Sequence, residues 1–230
     1  MHKLLYLFVL SLSLNLSAAE SWQSAMSRMP LQVKVAELNR TNCVDILLRS
    51  FQSNDTVKAL IFMPGATDEF YMFRRAKAVV TNASPSLLDA INALTNQTYI
   101  RATFLPPYLL LHTDEDPLNP LSQIKNKPTA DKLRQRPFVP YVLYNDRDWD
   151  FLRPVIAKKT GAFMVPKSHS VDSFHFYRHS FAAWNLTCWE ALEAISLAGK
   201  TKFTVSWKMI TFEGDERLRA TPHLDSYPRN

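Results

Sequence analysis

Glycine is nearly missing from this chain, with only Gly65, Gly161, Gly199 and Gly214 among 230 residues. Loops that cradle phosphate or a dinucleotide need glycine where backbone approaches ligand, and no such motif is present. Cysteine is scarcer still. Cys43 and Cys188 permit one disulfide at most, but they lie far apart in sequence, and the reading adopted is two buried small hydrophobes. Lysine and arginine number 27 against 21 acidic residues, for a net charge of +6, yet no run of five basic residues occurs. A nucleic-acid footprint would need that charge clustered on one face, so no nucleic-acid partner is expected. There is no GxSxG elbow and no HExxH, and neither cysteine sits in a nucleophile context; no enzyme is expected, and no cofactor.

What is present begins at the N-terminus. Met1-His2-Lys3 is a short basic region, Leu4 to Leu14 is apolar, and Ser17-Ala18-Ala19 places small residues where a signal peptidase reads. Residues 1–19 are therefore read as a signal peptide cleaved before Glu20, and the protein as periplasmic or secreted. The apolar run is too short for a resident transmembrane helix, and no later segment reaches membrane length. No cysteine follows the small residues, which excludes a bacterial lipoprotein. Asn-x-Ser/Thr sites at Asn39, Asn54, Asn82, Asn96 and Asn185 are glycosylation acceptors in a eukaryotic source and turn or cap residues otherwise.

The chain also repeats itself. FYMFRRAKAVVTNASPSLLDAINAL (from Phe70) is echoed by FHFYRHSFAAWNLTCWEALEAISLA (from Phe174). Arg74 falls opposite Arg178. A one-residue slip then sets Asn82 against Asn185 and Ser84 against Thr187, and the run LDAI from Leu88 faces LEAI from Leu192. Two similar α+β domains are expected, 20–113 and 138–213. A proline- and charge-rich linker (114–137) joins them, and a polar tail (214–230) follows.

Each domain reads as strand, helix, strand, strand, helix, hairpin, with helices packed on small sheets. Leu31–Glu37 alternates as a half-buried strand. Asn42 is placed to cap a helix carrying Val44, Leu47, Leu48 and Phe51 on one stripe. Val57–Met63 is a short apolar strand, and Phe70–Val80 a longer one. Ser84 caps the next helix with Pro85 in its first turn, and Leu87, Leu88, Ile91 and Leu94 form its apolar face. Tyr99–Phe104 and Tyr108–His112 flank Pro106-Pro107 as a hairpin. The second domain offers Phe138–Tyr144, a helix beginning near Asp146 or Asp148 and interrupted by Pro154, and Ala162–Val165. Then come Phe174–Trp184, a capping box at Thr187 and Glu190, and the hairpin Phe203–Phe212.

Three groups bear on chemistry. His169, His175 and His179 suggest a metal, and a metal-dependent hydrolase using His175 and His179 is the alternative function, but the second half's histidines have no counterpart in the first. Asp114, Glu115 and Asp116 lie in the linker, where nothing holds them rigid beside a pocket. The aromatic strands carry Phe70, Tyr71 and Arg74, matched by His175, Tyr177 and Arg178; these six are the candidate binding residues, on a surface suited to strand addition. A small-ligand binder with its cleft between the repeats is a further alternative.

The segments VVTNASPSLLDAINAL and Tyr99–His112, echoed by NLTCWEALEAI and Phe203–Phe212, resemble the short N-terminal domain shared by bacterial secretins and TonB-dependent receptors. The resemblance covers about 80 residues of each half. It implies periplasmic domains with helices between small sheets, which recruit partner proteins and are not catalytic. The function expected is thus an exported protein-binding or scaffolding module of the cell envelope with an envelope protein as partner, and homo-oligomerisation is compatible with its sheet edges.

Overall fold

The computed structural model describes residues 20–33, 36–39, 42–63, 76–113, 121–147, 149–166, 179–199 and 201–214. In chain order the elements are α1 (Trp22–Ser27), β1 (Ala36–Leu38), α2 (Cys43–Ser50), β2 (Ala59–Met63), β3 (Ala78–Val80), α3 (Leu87–Gln97), β4 (Arg101–Leu105) and β5 (Tyr108–His112). They continue with β6 (Leu121–Ile124), α4 (Lys127–Gln135), β7 (Pro137–Arg147), α5 (Trp149–Thr160), β8 (Phe163–Pro166), β9 (His179–Thr187), α6 (Cys188–Ala198), β10 (Thr201–Ser206) and β11 (Met209–Gly214). The fold is mixed α+β, as expected.

One pairing diagram occurs twice. In the first half β1 and β3 pair antiparallel, β4 and β5 form a hairpin, and β5 runs parallel to β2. In the second half β7 and β9 pair antiparallel, β10 and β11 form a hairpin, and β11 runs parallel to β8. The parallel ladders share a starting register, Ala59 opposite Tyr108 and Phe163 opposite Met209. A single antiparallel ladder, β2 to β9, then fuses strands of both halves into one five-stranded sheet, ordered β4-β5-β2-β9-β7. The remaining sheets are β6-β10-β11-β8, with four strands, and β1-β3.

Strand composition explains the layering. β2 (ALIFM) and β5 (YLLLH) are buried at every position, the mark of a sheet covered on both faces. Ala59, Ile61, Tyr108, Leu110, Phe181 and Ala183 face one apolar core, while Leu60, Phe62, Leu109, Leu111 and Ala182 face the other. Successive side chains on a strand point to opposite faces, so this alternation sets a core on each side of the central sheet. α2 packs on β7 and β9, and α3 lies against β1, β3 and β4. On the other face α6 contacts β2 and β9 and also reaches β10 of the four-stranded sheet. A helix between two sheets has no wet side, and Cys188, Trp189, Leu192, Ile195 and Leu197 of α6 are all buried.

The capping box at Thr187 is present: its hydroxyl accepts from the Glu190 N–H while the Glu190 carboxylate accepts from the Thr187 N–H. The first-half cap is Ser86, not Ser84, because Asp89 stands three residues beyond Ser86 and closes the same reciprocal box. The structural register therefore matches Ser86 with Thr187, and Leu88 with Trp189 rather than Leu192. Asn42 gives no side-chain cap; its Oδ1 accepts from the Asn39 N–H and its Nδ2 donates to the Glu37 carbonyl, tying off the turn before α2 instead. Pro154 lies within α5 without ending it.

The stretch read as an extended linker holds β6, parallel to β10, and α4, capped by Asn126 with Pro128 in its first turn. Ala130 and Leu133, three residues apart, share one face and are both buried, so a sparse apolar stripe suffices to anchor the helix. α1, at residues the sequence leaves without an element, is capped by Ser21, and its Met26 fills the core that Leu60 and Phe62 face. Both cysteines are free and buried, and burial pushes the Cys43 thiol up to about 12.

Candidate functional site

Phe70, Tyr71, Arg74, His175, Tyr177 and Arg178 all lie outside the described residues, as do His169 and the acidic run from Asp114 to Asp116. The strands these aromatic segments lead into are described from Ala78 and from His179 onward. Among the described residues no group of three or more histidine, cysteine, aspartate or glutamate side chains is arranged to hold a metal ion.

A polar cluster lies where the two halves meet, at the first turns of α6. The Lys58 ammonium donates to Glu190 Oε1 at 2.6 Å. The Tyr108 hydroxyl donates to Glu193 Oε2 at 2.6 Å, and Trp189 Nε1 donates to Glu193 Oε1 at 2.8 Å. The Arg134 guanidinium stacks 4.6 Å from the centre of the Trp189 ring. Burial opposes ionisation of Glu190, but Lys58 and the Thr187 N–H and hydroxyl outweigh it and hold the carboxyl below the ordinary glutamate range. Burial, with the negative charge of Glu193 beside it, drives the Tyr108 phenol far up, so it stays a donor. Every acceptor here is engaged by a fixed donor. The cluster clamps α6 onto β2 and β5; it offers no free base.

A groove of about 490 Å³ runs between residues 27–33 and 83–86, where Pro30 bridges to Ser86. Its walls come from the first half alone, and its charged residue, Arg28, is ion-paired with Glu20. It is not a cleft between the halves.

The four-stranded sheet presents a different surface. β10 (TKFTVS) alternates, with Thr201, Phe203 and Val205 buried and Lys202, Thr204 and Ser206 half-exposed. On β11, Ile210 and Phe212 are buried while Met209 is 39% exposed. Phe163 on β8, opposite Met209, is 75% exposed, and Trp207 in the β10–β11 turn is 73% exposed. The Phe163 N–H donates to the Lys208 carbonyl at 2.8 Å, which brings β8 beside that turn. Lys208 adopts φ 55, the left-handed conformation that the third position of a type II turn requires and that glycine or asparagine more often supplies. Its ammonium lies 5.2 Å from the Trp207 ring centre. Three large apolar side chains and a cation thus share one end of a sheet whose outer face elsewhere carries polar side chains, among them Lys202, Thr204, Thr211, Gln123 and Glu213. Among the described residues β8 is an edge strand. Since the Phe163 N–H points to β11, the N–H of Met164 points the other way, outward.

The sequence reading passed over Phe163, Trp207 and Met209. Period-two alternation in β11 marks Met209 as out of phase with buried Ile210 and Phe212 and hence exposed; Phe163 and Trp207 carry no such local signal, since Trp207 continues the phase of buried Phe203 and Val205 into the turn. Comparison of the chain with protein-family models, with curated proteins and with solved structures finds no match.

Proposed function

We propose that the chain is an exported, non-catalytic protein-binding or scaffolding module of the cell envelope, built by duplication of one α+β unit. The observation that carries the reading is the pairing diagram that occurs twice, antiparallel pair plus parallel-joined hairpin, with helices held between small sheets. That arrangement agrees with what resemblance to the short N-terminal domain of secretins and TonB-dependent receptors implies. Export rests on the basic, apolar and small-residue succession of residues 1–19. Interaction rather than catalysis is supported by the polar cluster at α6, whose groups are consumed in holding the halves together, and by the apolar end of an edge-exposed sheet.

The test is expression of the full chain with its own N-terminus, followed by fractionation and mass spectrometry. The expected result is an envelope or extracellular protein whose first residue is Glu20. Retention of Met1 in a cytosolic fraction would refute export.

A further inference from the structure

The two halves use equivalent surfaces differently, and that difference points to a site. In the first half, the face carrying Ala59 and Tyr108 is covered by α6, with the Tyr108 hydroxyl bonded to Glu193, and the β2 edge is paired antiparallel by β9. The matching face in the second half carries Phe163 and Met209, and among the described residues neither a helix lies on it nor a strand on the β8 edge. The edge of β3 in the two-stranded sheet is closed by α3: Gln97 Oε1 accepts from the Val79 N–H and Gln97 Nε2 donates to the Val79 carbonyl, both at 3.0 Å. An amide side chain there satisfies the groups that would otherwise template a strand.

Charge selects the occupant. Lys158 and Lys159 end α5 just before β8, Arg136 donates to the Thr160 carbonyl at 3.3 Å, and Lys208 flanks Trp207. Glu213 on the same sheet faces Lys202 at 3.8 Å. A second copy joined edge to edge through β8 would set these cations against their own duplicates, and a copy presenting β3 would first have to displace Gln97. We propose that the β8 edge and the face formed by Phe163, Trp207 and Met209 take an extended acidic segment of a partner protein, added antiparallel to β8 as a further strand. Its backbone pairs with the outward groups of Met164, alternate apolar side chains cover Phe163 and Met209, and its carboxylates meet Lys208 and the end of α5. This rests on the protein-binding reading above.

The purified full chain is titrated with an alternating glutamate–valine heptapeptide and, in parallel, a lysine–valine one. Met164 amide exchange and Trp207 fluorescence are followed, with Trp207→Phe as the control for the remaining tryptophans. The glutamate peptide is expected to slow Met164 exchange and quench Trp207; the lysine peptide should do neither. Phe163→Ser and Lys208→Glu each weaken binding about tenfold without moving the melting temperature, as truncation of an exposed anchor does. Absence of protection, equal response to both peptides, or a concentration-dependent dimer by light scattering would overturn the proposal. Export with cleavage before Glu20 is measured separately, so an exported protein that ignores the peptide sinks this site and leaves the module reading intact.

Discussion

Two sheets assembled by one set of pairings end in opposite conditions. β2 and β5 of the first half are apolar at nearly every position and buried on both faces, while β10 and β11 of the second half alternate and keep one face wet. Ala59 and Phe163 hold the same place in their ladders, yet one is inaccessible and the other 75% exposed. Pairing pattern alone does not decide what a strand carries; whether something packs on its second face does. The first half spends its outer face and its β2 edge on binding the second half. Among the described residues nothing packs on the second half's outer face, which carries threonine and serine across the middle and aromatic residues at one end.

Mutations that break this comparison have the largest expected effects. Phe181 sits on β9 opposite Ile61, fully buried at the seam between the halves. Phe181→Ala should cost about 3–5 kcal/mol in urea unfolding, the usual result of emptying a core aromatic site. Exchanging the two equivalent residues sharpens the contrast. Ala59→Phe forces a ring into a packed layer under α6 and should cost about 1–3 kcal/mol, whereas Phe163→Ala should change stability by less than about 0.5 kcal/mol. Equal costs would mean that the two faces are equally covered.

The caps test the likeness rather than the difference. Ser86→Ala and Thr187→Ala each remove the hydroxyl of a capping box, and each should lose about 1 kcal/mol in thermal or urea unfolding. The two costs should agree if the boxes are equivalent. A smaller effect concerns acid. The folded-state pKa of Glu190 lies below its ordinary value of 4.5, so the stability its ionised form contributes is fully present above that pH and is lost as pH falls through the folded value. Glu190→Gln should therefore flatten the acid limb of the melting-temperature profile below about pH 4.5, and a profile unchanged from the parent would remove the Lys58 pair from the account.

Much of the fold was legible because its signals are local. The Thr187–Glu190 box, the Pro106-Pro107 hairpin and the apolar string at Ala59–Met63 each identify an element within a few residues. The text around Arg74 resembles that around Arg178, although the literal match of Leu88 with Leu192 differs from the register of the two capping boxes, which sets Leu88 beside Trp189. Composition pulled against the text there: apart from Glu190, Glu193 and a serine, α6 is apolar because it lies between two sheets, and α3 is amphipathic because it does not. What stayed hidden depends on contacts far apart in sequence. Nothing near Leu121 foretells pairing with β10, and the fusion of β2 with β9 spans more than a hundred residues. The six candidate binding residues lie outside the described residues, and the exposed apolar residues that the structure does describe lie elsewhere. Aromatic density drew attention to the segments before β3 and β9, while three exposed apolar residues at Phe163, Trp207 and Met209 are scattered in sequence and gathered only by the hairpin turn.

Hydrogen exchange of the free protein, read amide by amide, tests the central contrast most directly. Leu60 and Met164 hold equivalent positions, but Leu60 has strands on both sides and Met164 on one. The account predicts that the Leu60 amide exchanges only through global unfolding, while the Met164 amide exchanges orders of magnitude faster through its open edge. Equal, slow exchange at both would mean that the β8 edge is already covered, and the second half would then have no surface left to offer a partner.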